Sequence, residues 1–240
     1  MKKYLFILIL LLLVAIVYAQ DPGIPDTVNF GNCQSYIVSE GDSLYGKVKV
    51  PLRIFNDEPL AGVEICLEWK GPLRSDTLVY YGKRGDSLDL RDYVFDDSSH
   101  FVGIFAISFV QFPADTGMFL YMLFEAFDTG FVLIDTTNTP SECNVSLITP
   151  DAWHIVPHFE DKKFLLAKSD TIPGDLNGNN AVNFVDILIL VEFLFRNQYQ
   201  GFLLPAADVN SDCQIRLSDV VFLINYIFRD TEKPRPGCAF

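Results

Sequence analysis

Cationic side chains are scarce in this chain: 18 lysines and arginines stand against 31 aspartates and glutamates, a formal net charge of −13. A surface of that sign repels phosphate backbones and anionic lipid heads, which excludes nucleic-acid binding as a function class. Histidine is rarer still, with three in 240 residues: His100 beside a turn, and His154 and His158 flanking Pro157. No Gly-x-Ser-x-Gly, His-Glu-x-x-His or glycine-rich phosphate loop is present, so the chain reads as non-catalytic. Paired carboxylates of the glycosidase kind are the one enzymatic arrangement left open, because their separation is invisible in a sequence.

Long apolar runs are nearly absent as well. One occurs, Leu5 to Val17, directly after Lys2 and Lys3 and ending in Val17-Tyr18-Ala19. A basic start, a short apolar core and a small-residue end describe a secretory signal, so residues 1–19 are expected to be cleaved. Nothing later is long and apolar enough to span a bilayer, and the mature chain is expected to be secreted, with no membrane association and a formal charge of −15 once Lys2 and Lys3 are lost. Five cysteines are an odd number for an exported protein, leaving at least one thiol unpaired within the chain. A Cys213–Cys238 disulfide is expected to clamp the tail onto the segment before it; the pairing of Cys33, Cys66 and Cys143 stays open.

What is present first is β patterning. From Gly46 to Phe55, Val48, Val50, Leu52 and Ile54 alternate with Lys47, Lys49, Pro51 and Arg53; from Leu60 to Trp69, Val63, Ile65, Leu67 and Trp69 alternate with Glu64, Cys66 and Glu68. Period-2 alternation marks a half-buried strand. Further strands are expected at Gln34–Ser39, Leu78–Gly82, Phe101–Phe109, Phe119–Phe127, Phe131–Asp135 and across Ile155–Leu166, separated by turns such as Asn56-Asp-Glu-Pro59 and Asp128-Thr-Gly130. Eight or nine short strands without helical periods predict an antiparallel β-sandwich over residues 20–168. Phe101, Phe105, Phe109, Phe119, Phe124 and Phe127 are its expected core. The passage Phe55-Asn-Asp-Glu-Pro-Leu-Ala-Gly62 leading into Val63-Glu-Ile-Cys-Leu-Glu-Trp69 resembles the start of cohesin-like sandwiches, a fold that implies protein docking or carbohydrate binding.

Residues 169–240 carry a different grammar. Asp175-Leu-Asn177-Gly-Asn179-Asn-Ala181-Val-Asn183-Phe-Val-Asp186 and Asp208-Val-Asn210-Ser-Asp212-Cys-Gln214-Ile-Arg216-Leu-Ser-Asp219 begin 33 residues apart. Each places oxygen side chains at positions 1, 3, 5 and 12 and a backbone carbonyl, of Ala181 or Gln214, at position 7: the oxygen set that wraps a calcium ion. Asn183 adds an oxygen at position 9 of the first loop, where the second has the opposing charge of Arg216. Position 6, which needs a positive φ, is Asn180 in one and Cys213 in the other. An apolar helical face follows each loop: Ile187, Leu190, Val191 and Leu194, then Val220, Leu223, Ile224 and Ile227. The duplicated Gly174-Asp-Leu-Asn-Gly-Asn179 and Ala207-Asp-Val-Asn-Ser-Asp212, each running into a helix that ends in Phe-Arg, resemble the repeats of type I dockerins.

That resemblance implies a small all-α module binding two calcium ions and docking to a cohesin-type partner. Matched position by position, Phe184, Val185, Leu217 and Ser218 would contact the partner, with Arg196 and Arg229 at the helix ends. The family often has small hydroxyl residues at the first pair, whereas three of these four are apolar; the face therefore either meets an outside partner or packs on the chain's own sandwich. The short junction Ser169-Asp-Thr-Ile-Pro-Gly174 keeps the second reading open. An alternative is a carbohydrate-binding accessory of polysaccharide degradation, with Trp69, Trp153, Tyr80 or Tyr81 as the sugar platform.

Overall fold

The computed structural model describes residues 23–40, 43–80, 82–137, 143–196 and 201–239. The expected signal segment, Tyr81 and part of Cys143's connecting segment lie outside them. Thirteen strands precede the helices among the described residues: β1 Thr27–Phe30, β2 Gln34–Glu40, β3 Ser43–Asn56, β4 Leu60–Lys70, β5 Leu73–Val79, β6 Leu90–Asp96, β7 Phe101–Phe112, β8 Asp115–Ala126, β9 Gly130–Thr136, β10 Ser146–Ile148, β11 His154–Ile155, β12 His158–Phe159 and β13 Lys162–Leu166. They form two sheets. One runs β12-β1-β3-β8-β5, with β2 also on β3; the other runs β11-β10-β4-β7-β6, with β9 joining β4 to β13.

The two clean alternations build the core. Val48, Val50, Leu52 and Ile54 of β3 and Val63, Ile65, Leu67 and Trp69 of β4 fall in one buried cluster between the sheets. Each fully buried aliphatic side chain there contributes roughly 1.5–3 kcal/mol. The Trp69 ring lies 5.2 Å from that of Phe124 and 6.3 Å from that of Phe95, and its indole N–H donates to the Leu73 carbonyl at 3.2 Å.

Four expectations need correction. The count exceeds eight or nine because β1, β6 and β10 carry little alternation, and because Pro157 and the polar Glu160-Asp161 break Ile155–Leu166 into three pieces. The strand expected at Leu78–Gly82 lies at Leu73–Val79, where it pairs with β8; the turn at Gly71, with φ +128°, starts it earlier. Of the six phenylalanines expected in the core, Phe119 and Phe124 are there; Phe105 and Phe109 face outward from β7 and are exposed, Phe101 on the same side is buried against Cys66 and Cys143, and Phe127 lies exposed just past the end of β8. Ile224, placed on the inner helix face, lies at its exposed margin. Cys66 is bonded to Cys143, with Cα atoms 5.8 Å apart, and Cys33 is the free thiol among the described residues.

Three helices follow the strands: α1 Phe184–Arg196, α2 Leu204–Ala207 and α3 Leu217–Arg229. Their inner faces, including Ile187, Leu190, Val220 and Leu223, form a second core that also takes in Tyr36 and Val38 from β2. Ile37, between them, points the other way into the sandwich. The helical module therefore sits on the outward side of β2. The junction is tied there too: Ser169 N–H donates to the Ile37 carbonyl at 2.7 Å, and the Tyr36 hydroxyl to the Thr171 carbonyl at 2.9 Å.

Candidate functional site

Each acidic loop folds around its own first and last carboxylates. In the first, Asp175 Oδ1 accepts from Asn179 N–H at 3.1 Å and Oδ2 from Asn180 N–H at 2.7 Å. Asp186, in the first turn of α1, accepts from Leu176 and Asn177 N–H at 2.9 and 3.2 Å through Oδ1, and from Asn183 N–H at 2.8 Å through Oδ2. Asn177 and Asn179 take the next turn, their Oδ1 atoms accepting from Asn179 and Ala181 N–H. The second loop repeats this: Asp208 accepts from Asp212 and Cys213 N–H, Asp219 from Asn210 and Arg216 N–H, Asn210 from Asp212 N–H, and Asp212 from Gln214 N–H.

The backbone reaches this shape through left-handed residues at positions 4 and 6. These are Gly178 and Asn180, with φ of 70° and 63°, and Ser211 and Cys213, with φ of 61° and 63°. A side chain there costs conformational energy, least for Gly and Asn. Cys213 is held by its disulfide to Cys238, Cα atoms 4.4 Å apart. That bond folds the tail over the loop, and Cys238 and Ala239 N–H donate to Asp208 Oδ2 at 2.8 and 3.0 Å. Sequence reading placed the clamp but not these two donors; the turn-forming Pro234-Arg-Pro-Gly237 was the signal that the tail reverses here.

Four carboxylates, Asp175, Asp186, Asp208 and Asp219, are thus almost fully buried, and none has an ion-pair partner among the described residues. Burial raises the Asp208 and Asp219 carboxyls above the ordinary aspartate value, while their backbone donors pull the other way. Buried carboxylates of this kind are costly without neutralisation, and the donor set is oxygen throughout, which fits a hard divalent ion. In the first loop the Asn183 side chain is already engaged: Oδ1 accepts from Val185 N–H at 2.9 Å, capping α1, and Nδ2 donates to the Ala181 carbonyl. Arg216 is exposed and turned toward solvent rather than buried in the second loop.

Outside the loops, the helices present a repeated apolar stripe. Phe184, Leu188 and Phe195 on α1, and Leu217, Val221, Ile224 and Phe228 on α3, are all exposed and recur at i, i+4 and i+11. Phe184 and Phe228 meet edge to face at 6.5 Å, which joins the stripes into one surface. Val185 and Ser218 flank it, and Arg196 and Arg229 close its ends, all exposed.

Residues 173–229 match the family model described as the dockerin type I domain. This C-terminal module is a type I dockerin. No curated protein matches the chain. Among solved structures, similarity is found to a non-cellulosomal cohesin from Archaeoglobus fulgidus, 12% identical with a TM-score of 0.43, over 60% of this chain and 92% of that one. It is found also to the seventh type I cohesin of a Pseudobacteroides cellulosolvens protein, 12% identical with a TM-score of 0.45, over 60% and 93%. A chain of a cohesin–dockerin complex from Clostridium thermocellum is 11% identical with a TM-score of 0.45, over 63% and 99%. In this chain the dockerin follows a two-sheet sandwich, and its loops and helix stripe are separate surfaces of one module.

Of the aromatics named for a sugar platform, Trp69 and Tyr80 are buried and Trp153 is exposed. The first two are held in the sandwich core and are closed to a flat ligand.

Proposed function

We propose that the chain is an exported, non-catalytic interaction protein whose dockerin binds two calcium ions and docks to a cohesin-type partner in an extracellular assembly. Asp175, Asn177, Asn179, the Ala181 carbonyl and Asp186 would hold one ion; Asp208, Asn210, Asp212, the Gln214 carbonyl and Asp219 the other. The observation that carries this reading is the coexistence of four buried carboxylates, without an ion-pair partner among the described residues, and an exposed apolar stripe on the helices they anchor. The ion would supply charge neutralisation for the loops and so fix the angle between α1 and α3. The chain's own residues do the rest: Asp186 and Asp219 tie each loop to the first turn of its helix, and Phe184, Leu217 and Phe228 present the surface to be covered.

The dockerin also rests on its own sandwich, but through Tyr36 and Val38, leaving Phe184, Val185, Leu217, Ser218, Arg196 and Arg229 exposed. Docking to an outside partner therefore does not compete with that contact. Isothermal titration with calcium, followed by capture on an immobilised cohesin domain, tests the reading. Two equivalents bound, with capture abolished by EDTA and weakened at least tenfold by Phe184→Glu plus Phe228→Glu, is the expected result; capture indifferent to both would overturn it.

A further inference from the structure

The sheet opposite the dockerin has an apolar outer face that the sandwich core does not use. In β7, Phe105, Ile107 and Phe109 are 42%, 50% and 76% exposed; in β6, Leu90 and Val94 are 54% and 53% exposed. Register puts the β6 and β7 groups side by side, Leu90 across from Ile107, Asp92 across from Phe105 and Val94 across from Gly103. Gly103 deepens the surface: a β-carbon there would press on the Phe105 and Phe101 rings at 3.0 and 3.1 Å. β6 is the last strand of its sheet. Contiguous exposed apolar surface of this kind marks an interaction site.

We infer that this β6–β7 face receives the dockerin helix stripe of a second copy of the chain, linking molecules head to tail. The inference rests on the proposed docking role of the stripe and names its partner. Three observations select the second copy. First, the chain's own dockerin cannot reach: it is seated on the outward side of β2, in the other sheet, and its junction is hydrogen-bonded to that strand through Ser169 and Tyr36. Second, the charges are complementary. Asp92 and Asp96 stand exposed on the β6 face, and hydrogen bonds from Ser98 and Ser99 hold the Asp96 carboxyl down at about 2, so it is ionised. The helix stripe is bounded by Arg196, Arg216 and Arg229 in a molecule where cations are few. Third, the alternative of two β6–β7 faces pairing would set Asp92 and Asp96 against their own copies, which like-charge repulsion opposes. A contact between unlike faces propagates, and it closes into a ring or grows as a filament according to the rotation between copies.

Sedimentation velocity of the mature full-length chain in calcium and in EDTA, over rising concentration, reads the assembly directly. Expected is a calcium-dependent increase in mass. Ile107→Glu on the sheet face and Phe228→Glu on the helix stripe should each abolish it, while an equimolar mixture of the two variants, which retains one intact interface, should stop at a one-to-one dimer. Recovery in the mixture shows that the unaltered module of each variant is folded, and circular dichroism of each variant matching the wild type shows the same of the altered one. A wild-type chain that stays monomeric to about 1 mM in calcium, or an Ile107→Glu variant that assembles normally, overturns the inference. If such a monomer still binds an immobilised cohesin in calcium, the docking role stands and only the self-docking fails; if it binds neither, both fail.

Discussion

Asp208 carries more of the second loop than its place as the proposed first ligand requires. Its Oδ2 accepts three backbone N–H groups, from Cys213, Cys238 and Ala239, whereas the Oδ2 of Asp175 accepts from Asn180. The Cys213–Cys238 bond, closing 25 residues, keeps the two tail donors in place. In the chain-entropy picture a loop of that size is worth about 3 kcal/mol, and lost outer partners weaken a metal site about 10–100-fold. Cys213→Ser with Cys238→Ser is therefore expected to weaken calcium binding at the second loop by that factor and leave the first unchanged, as two-site calorimetry would show; equal weakening of both would argue against the tail's role. At this scale the sequence was informative where chemistry fixes a position. The oxygen pattern and the positive φ of Asn180 and Cys213 follow from the loop's geometry. The donors of Cys238 and Ala239 were hidden because backbone N–H groups have no residue signature.

Among elements, legibility followed the contrast between faces. β3 and β4 alternate lysine or glutamate with aliphatics, and their buried sides are those the pattern names. β7, Phe101 to Phe112, is apolar on both sides, so its pattern cannot say which phenylalanines turn inward, and Phe105 and Phe109 turned out. The polar Arg74-Ser-Asp-Thr77 in β5 hid its first half, so the expected strand began too late, and β6 is too polar to register; both are held by pairing, with β8 and β7. The seating of the dockerin on β2 was equally silent, since Tyr36 and Val38 look like ordinary outward strand residues until a second module covers them. Tyr36 is the larger contact, combining a buried ring with its bond to Thr171. Tyr36→Ala removes both, at a cost in the range of about 3–5 kcal/mol for truncating a buried aromatic. Faster hydrogen exchange confined to residues 169–173 and α1, with calcium stoichiometry unchanged, is the expected outcome; unchanged exchange there would show that the junction is held by something else.

For the molecule as a whole, two cores of unequal strength share one chain. Among the described residues the sandwich core joins thirty buried side chains from both sheets and their connections, while the dockerin core draws on short helices and borrows Tyr36 and Val38. A module that small buries too little to be secure alone, and four buried carboxylates without a cation make it less so. An ion present at about 100 times its dissociation constant adds roughly 2.7 kcal/mol, so the two ions proposed would stabilise the module and not the sandwich. Calorimetry of the full chain should then show two transitions in calcium, the lower one belonging to the dockerin. EDTA is expected to lower that transition selectively and reduce the helical circular dichroism at equilibrium, with the sandwich transition fixed. The disulfide limits the loss by keeping the tail on the second loop, so the double cysteine variant in EDTA should lose nearly all helical signal. Helical signal unchanged by EDTA in both proteins would mean that the carboxylates are stable without a cation, and the calcium reading would have to be abandoned.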